Sequence, residues 1–409
     1  MRKIFLFALI LSVAFCSFPN IDWQDIGNDD VVSCTLADFM SYIPEGYPVE
    51  NHEVITDDGF KLNMFRIQKK GTSIESGLHP IFLQHGLDNS AVAWTLNGEE
   101  KSFAFILANA GYDVWINSNR GTRFSREHVT LKPNQKEFWA FSFQEMAEYD
   151  IPAAIAKVRQ VTGMDKMTYF GHSQGTSQMF AALADPAVSP KVAPYLEAFH
   201  AFAPVVYLTN TKLQFFELAK VIDWALEPTF NFLNIKHLGL GKCSFDPTLI
   251  PKYASHCAKV QCDYDYHTDP YPKVIDYSWY GLAKNASPGG FSLRCIFHYA
   301  QLIKQNRVEP WFQKYDHGSF QENMKVYGTP FPPRYDLSNI KSKVFLYMGT
   351  ADRLADRTDV EKIPAALTNA EVQLIPLEKW GHKAFISAVE SGTFYKSIIA
   401  NFPPGLKHK

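Results

Sequence analysis

No charge of one sign dominates this chain. Across 409 residues, 40 Lys and Arg offset 42 Asp and Glu, leaving a formal net charge of −2. A nucleic-acid partner needs a basic stripe, so that class of function is excluded. Cysteine is scarce, with 6 in all. None of it stands in paired C-x-x-C spacing, and there is no H-E-x-x-H, so no resident metal is expected. Asp263, Asp265, His267 and Asp269 alternate in a way that invites a metal reading, but a solvated loop accounts for them better. Neither G-x-G-x-x-G nor a Walker-type loop occurs, so no nucleotide cofactor is expected; the chain is read as cofactor-free. No apolar run reaches the roughly 20 residues of a transmembrane helix. Internal repeats and low-complexity tracts are absent too. What is plentiful is apolar side chain: 46% of residues are hydrophobic and 14% aromatic, enough for a large core.

The first residues read as a leader. Arg2 and Lys3 precede the apolar run Ile4 to Phe15, and Ala14, Cys16 and Ser17 suit cleavage, so residues 1–17 are expected to be a signal peptide. A membrane anchor is the alternative, but the run is short for it. A leader sends the chain into the oxidising secretory pathway. Cys34, Cys243, Cys257, Cys262 and Cys295 then remain, an odd set, so at least one thiol is free or pairs with another chain. Asn285-Ala-Ser287 is the one glycosylation sequon, and Pro288 directly after it makes it a poor acceptor.

The chain's rhythm predicts an α/β fold. His52 to Thr56 and Phe60 to Ile67 flank Asp57-Asp58-Gly59 as a hairpin. Short apolar strands follow at Pro80–Gln84, Tyr112–Ile116, Lys166–Phe170 and Ala198–Ala203. Helical patterns lie between them at Phe103–Ala110 and Glu145–Arg159, and after Gly175 through about Leu183. The alternation returns with strands at Lys343–Met348 and Glu371–Ile375 and a helix near Ala384–Ile398. This describes a mostly parallel sheet with helices on both faces. Between them the pattern breaks. Residues 207–318 carry Phe215, Phe216, Trp224, Phe230, Phe232, Trp279 and Tyr280, together with most of the cysteines. They read as a cap or lid inserted between core segments 18–206 and 319–409. Their aromatics either wall an apolar binding site or form the insertion's own small core.

Gly171-His172-Ser173-Gln174-Gly175 matches G-x-S-x-G in the context that gives it meaning: after an apolar strand and at the start of a helix. Such a turn lifts a serine oxygen above the sheet, and its glycines relieve crowding. A serine hydroxyl needs a base, and the base needs an acid to orient it. In this strand–turn–helix setting the chain order is Ser, acid, His. Asp352 ends the loop after the strand at Met348. Beyond it stand only His382 and His408, the latter in the basic tail. Ser173 as nucleophile, His382 as base and Asp352 as orienting acid follow. Asp356, one turn on, is the rival acid; a helix cap or a partner for a nearby arginine suits it better. His172 reads as support beneath the nucleophile. The oxyanion requires two backbone N–H donors: Gln174, directly after the serine, and Leu87, in the loop His85-Gly86-Leu87 after an earlier strand.

Several segments together resemble the acid lipase family that holds gastric lipase and lysosomal acid lipase. They are Gly46 to Glu50, Glu53 to Phe60, Phe82 to Leu87, Ala104 to Trp115, Asn119-Arg-Gly121, Glu137 to Phe143, Gly171 to Thr176, Asp352 to Asp356 and Gly381 to Phe385. The similarity is dense over residues 38–206 and 343–390. It implies the α/β-hydrolase fold, the same triad and oxyanion donors, and an ester of neutral lipid, triacylglycerol or steryl ester, taken from a lipid–water interface. The middle of the chain departs from the family around Asn285 to Gly290, which leaves substrate identity open. An esterase or acyltransferase for smaller acyl groups is the alternative, and a non-catalytic lipid carrier a remoter one.

Overall fold

The computed structural model describes residues 33–213, 227, 230, 235–238, 268–271, 273–279, 289–305 and 310–402. The leader, Cys243, Cys257, Cys262, Asp263, Asp265, His267, the sequon at Asn285, His408 and most of the aromatic-rich stretch lie outside the described residues.

The hairpin forms as the turn signal requires. Strand β1 (Val49–Ile55) pairs antiparallel with β2 (Phe60–Ile67), and Gly59 at the turn has a φ of 97°. β1 buries Val54 and is otherwise exposed or half-buried, as an edge strand is. β3 (Pro80–Gln84) and β4 (Asp113–Asn117) are buried along their whole length, which explains their unbroken apolar centres. A two-residue β5 (Glu127–His128) leans on β2, and β6 (Met167–His172) and β7 (Leu196–Phe202) follow. His237–Leu238 (β8) and Phe291–Ser292 (β9) make a separate small pair. β10 (Val344–Gly349) and β11 (Val372–Leu377) return to the main sheet.

The sheet order is β1-β2-β4-β3-β6-β7-β10-β11, with every neighbour from β4 to β11 parallel. β7 and β10 are adjacent, so residues 203–343 form one long connection between neighbouring strands.

Helix α1 (Phe103–Asn109) packs with α7 (Ser391–Ala400), Phe103 stacking on Tyr395 with centroids 4.3 Å apart. α2 (Ile151–Thr162) and α3 (Gln174–Ala184) pack together. Burying each such aromatic contributes roughly 1.5–3 kcal/mol. Further on stand α4 (Leu293–Gln305) and α5 (Phe320–Tyr327).

Two helices differ from expectation. The pattern at Glu145–Arg159 is a short helix at Phe143–Glu145, a π turn at Met146–Asp150, and then α2. The π turn brings Met146 Sδ within 3.1 Å of the Gln178 amide on α3. The pattern at Ala384–Ile398 is two helices, α6 (Ala384–Ser387) and α7. The break falls at Ala388, which bridges to Ile275, so a tertiary contact overrides a continuous helical pattern. Cys34 is disulfide-bonded, whereas Cys295 is a buried free thiol.

Candidate active site

All four loops singled out in the sequence leave the C-terminal ends of their strands: Leu87 after β3, Ser173 after β6, Asp352 after β10 and His382 after β11. Open parallel sheets gather ligand sites along that edge.

Ser173 has φ 53° and ψ −119°, a conformation a non-glycine residue holds at a cost of about 1–3 kcal/mol. Neighbouring bonds fix it there. Its N–H donates to Phe202 O at 3.0 Å, and its carbonyl accepts from Thr176 N and Thr176 Oγ1 at 2.8 and 2.6 Å. The flanking glycines are required by space. A Cβ on Gly171 would lie 2.7 Å from the Gly175 carbonyl, and one on Gly175 would lie 2.6 Å from Gln84 O. Gln174 is the first residue of α3, a position whose N–H has no acceptor within the helix.

Ser173 Oγ, His382 and Asp352 form a hydrogen-bonded line. Oγ is 2.7 Å from His382 Nε2, and His382 Nδ1 is 2.8 Å from Asp352 Oδ2. The three are 8%, 7% and 3% exposed. The other oxygen of Asp352 accepts from the N–H groups of Leu354 and Ala355 at 2.8 and 2.9 Å, so the carboxylate cannot swing. Asp356 is elsewhere engaged. It caps the short helix Arg357–Val360 through Thr358 N and pairs with Lys212 at 2.6 Å, a lysine where an arginine was expected.

The loop after β3 leans on Ser173: a Cβ on Gly86 would lie 2.9 Å from Ser173 Cβ. His85 fixes the loop's orientation. Burial pulls its pKa down to about 4, so the ring is neutral. Its Nε2 accepts from Asn119 N at 3.0 Å, so the proton sits on Nδ1, which donates to Gly86 O at 2.8 Å. The peptide is planar and trans, so pinning the Gly86 carbonyl toward the ring turns the Leu87 N–H the opposite way. Sequence reasoning gave His85 no role; the signal available was its place between a buried strand and Gly86. His172 is also buried and neutral, its pKa pulled down to about 3 by burial and then by nearby His382. Its Nε2 donates to His382 O at 2.9 Å.

Asn119-Arg120-Gly121 has a structural reason as well. Asn119 N serves His85, and the buried Arg120 guanidinium reaches Asp150 at 2.5 Å and Asp58 at 2.6 Å. Of the alternating acidic group, Asp269 alone lies within the described residues, and it is buried beside His382 rather than solvated. No cluster of three or more His, Cys, Asp or Glu is arranged to hold a metal among the described residues, and no described helix is long and apolar enough to cross a membrane.

A mixed sheet in this order, with a serine on a strained turn after β6 and its partners after β10 and β11, defines an α/β hydrolase. Comparison with known proteins agrees. Residues 79–193 match the alpha/beta hydrolase fold family, and residues 40–98 match a partial alpha/beta-hydrolase lipase region. A soluble variant of monoglyceride lipase from Saccharomyces cerevisiae shares the fold, with a TM-score of 0.51 at 12% identity over 87% of this chain and 95% of that one. Gastric triacylglycerol lipase of Mus musculus is 36% identical over 85% of this chain and 86% of its own. Lysosomal acid lipase/cholesteryl ester hydrolase of Homo sapiens is 31% identical over 91% of both. The chain therefore belongs to the family of gastric and lysosomal acid lipases, carboxylic ester hydrolases of the α/β-hydrolase fold.

Proposed function

We propose that this enzyme hydrolyses carboxylic esters of neutral lipid, triacylglycerol or steryl ester, through an acyl-enzyme on Ser173. The line from Ser173 Oγ through His382 to Asp352, with both contacts under 3 Å, carries the reading. His382 takes the hydroxyl proton as Ser173 attacks the ester carbonyl. Asp352 holds the ring and stabilises its positive form. The N–H groups of Leu87 and Gln174 receive the oxyanion. His382 then gives its proton to the leaving alcohol, and water releases the acid by the same steps in reverse. No cofactor enters this chemistry.

Residues 207–318 are read as a cap above the sheet's C-terminal edge, where the lipid–water interface delivers substrate. The disulfide at Cys34 supports an oxidising, secretory-pathway location, secreted or lysosomal.

Hydrolysis of long- and short-chain acyl esters from acid to neutral pH, with Ser173→Ala as control, tests the proposal. Long-chain activity abolished in the variant is expected. Activity confined to short chains would make it an esterase, and a folded but inactive wild type would point to a lipid carrier.

A further inference from the structure

Among the described residues, the long connection between β7 and β10 returns to the His382 loop around residues 268–276. Thr268 O accepts from His382 N at 3.5 Å. The Asp269 carboxylate accepts from Lys383 N at 3.0 Å and from Ala384 N at 3.2 Å. Val274 O accepts from Val389 N at 2.8 Å, and Asp276 N donates to Ser387 O at 2.7 Å. Thr268, Asp269, Val274 and Asp276 therefore bond to the segment from His382 to Val389 at both of its ends.

Asp269 is the residue with the most to do there. It is 2% exposed. A Cβ on Gly381 would overlap its carboxylate, so the glycine before His382 is what lets the two segments close. α6 begins without a side-chain cap of its own, Lys383 supplying none. Asp269 fills that role from more than 100 residues away and adds its negative charge at the helix start, where it is favoured. The N–H groups it holds belong to the two residues that follow the histidine. His172 holds the carbonyl of the histidine itself. The main chain of His382 is thus fixed on both sides, and the ring's approach to Ser173 follows from it.

We propose that Asp269 is a positioning residue for His382, supplied to the hydrolytic site by the long connection. This rests on reading Ser173, His382 and Asp352 as the triad. The role differs from simple support. Loss of the carboxylate lets the histidine's peptide drift, and a shift near 1 Å in a reacting group costs on the order of 100-fold in rate. Besides the main-chain N–H groups of Lys383 and Ala384, the carboxylate accepts from the Thr268 hydroxyl at 2.7 Å, so its contacts bear on the histidine's main chain and the loss is expected in kcat rather than KM.

The test uses the full-length enzyme with a soluble p-nitrophenyl ester. Asp269→Ala is expected to lower kcat about 10- to 100-fold with KM within about threefold of wild type, and Asp269→Asn, which keeps one acceptor oxygen, to recover most of it. A folded Asp269→Ala enzyme with kcat within twofold of wild type, or a loss confined to KM, overturns the proposal. Should the alanine variant not fold, Asp269→Leu, which fills the space without offering an acceptor, decides. Its alkaline and acid limbs of kcat/KM must shift relative to wild type, and superimposable profiles count against the role. A second readout needs no turnover: the downfield proton resonance of the His382–Asp352 hydrogen bond. It should move or broaden in the Asp269 variants. If it moves while wild type hydrolyses no ester, the positioning stands and the assigned activity fails. If it stays fixed in a folded variant, the positioning fails whatever the activity.

Discussion

His172 donates a hydrogen bond from Nε2 to the main-chain carbonyl of His382 at 2.9 Å, tying the residue before Ser173 to the residue whose ring meets the Ser173 hydroxyl. The two loops come from β6 and β11, which are not neighbours in the sheet. The bond sets their separation.

Replacing His172 by Leu removes the donor and leaves the His382 carbonyl buried without it. Stability should fall by about 1–3 kcal/mol. The kcat for a soluble ester should drop about tenfold with little change in KM, as expected when an orienting partner of a reacting group is lost. His172→Gln, which can offer an amide N–H, should sit between. Steady-state kinetics beside thermal unfolding would separate the two effects, and an unchanged kcat in a folded Leu variant would leave His172 a packing residue only.

That Ser173, Asp352 and His382 would be brought together was legible in the sequence because their signals are local or ordinal. The elbow is five consecutive residues, and the order Ser, acid, His left a single histidine outside the tail. The central strands were legible because burial on both faces makes them continuous apolar runs. Asp269 was not. Its only sign was a place in an acidic stretch, and what makes it matter is contact with main chain more than 100 residues on. The break between α6 and α7 escaped for the same reason, since it answers to Ile275 and not to the sequence around Ala388.

The neutral ring of His85 carries a second expectation. His85→Phe keeps the bulk but removes the acceptor for Asn119 N and the donor for Gly86 O. The Leu87 N–H is then free to turn away. Loss of a whole oxyanion donor costs about 100- to 1000-fold, so a loosened one should cost up to that in kcat. An arylboronic acid, which mimics the tetrahedral state, should lose affinity in parallel with kcat/KM. Unaltered boronate binding would mean that Leu87 is held by something other than His85.

Acid should unfold this protein by a specific route. His85, His172, His200 and His298 are buried and His79 is half-buried, and loss of solvent pulls their pKa values down to between about 3 and 4. Unfolded, each would titrate near 6.5. The unfolded chain thus binds more protons between those limits, so these groups favour the fold above pH ~6.5 and that contribution is lost progressively as pH falls toward about 3. Each contributes a slope of about 1.4 kcal/mol per pH unit within the window. His200 stacks between Phe170 and Phe345 at 4.3 and 4.4 Å, so phenylalanine fits its place. His200→Phe should flatten the slope of unfolding free energy near pH 5 by about one proton's worth, as urea unfolding at a series of pH values would measure. A slope equal to that of wild type would show that His200 does not titrate on unfolding.

Arg120 offers the complementary case, a buried charge with partners. Its guanidinium lies against Asp150 at the start of α2 and Asp58 in the β1–β2 turn, tying the edge hairpin to the helix layer. Burial raises the Asp150 carboxyl to about 6 even with Arg120 beside it. Arg120→Met removes the cation and strands Asp150, at an expected cost of about 3–5 kcal/mol near neutral pH. Without the arginine the Asp150 pKa rises further, so the folded variant binds a proton that the unfolded chain, titrating near 3.9, releases. A group raised in this way costs stability as pH climbs through its range, so the deficit of Arg120→Met should be smallest near pH 5 and grow toward pH 7. Adding Asp150→Asn should remove that pH dependence while restoring part of the stability. A deficit that is flat with pH would mean that the loss comes from the guanidinium's packing over Phe60, 4.2 Å from its ring centre, and not from the charge it leaves behind.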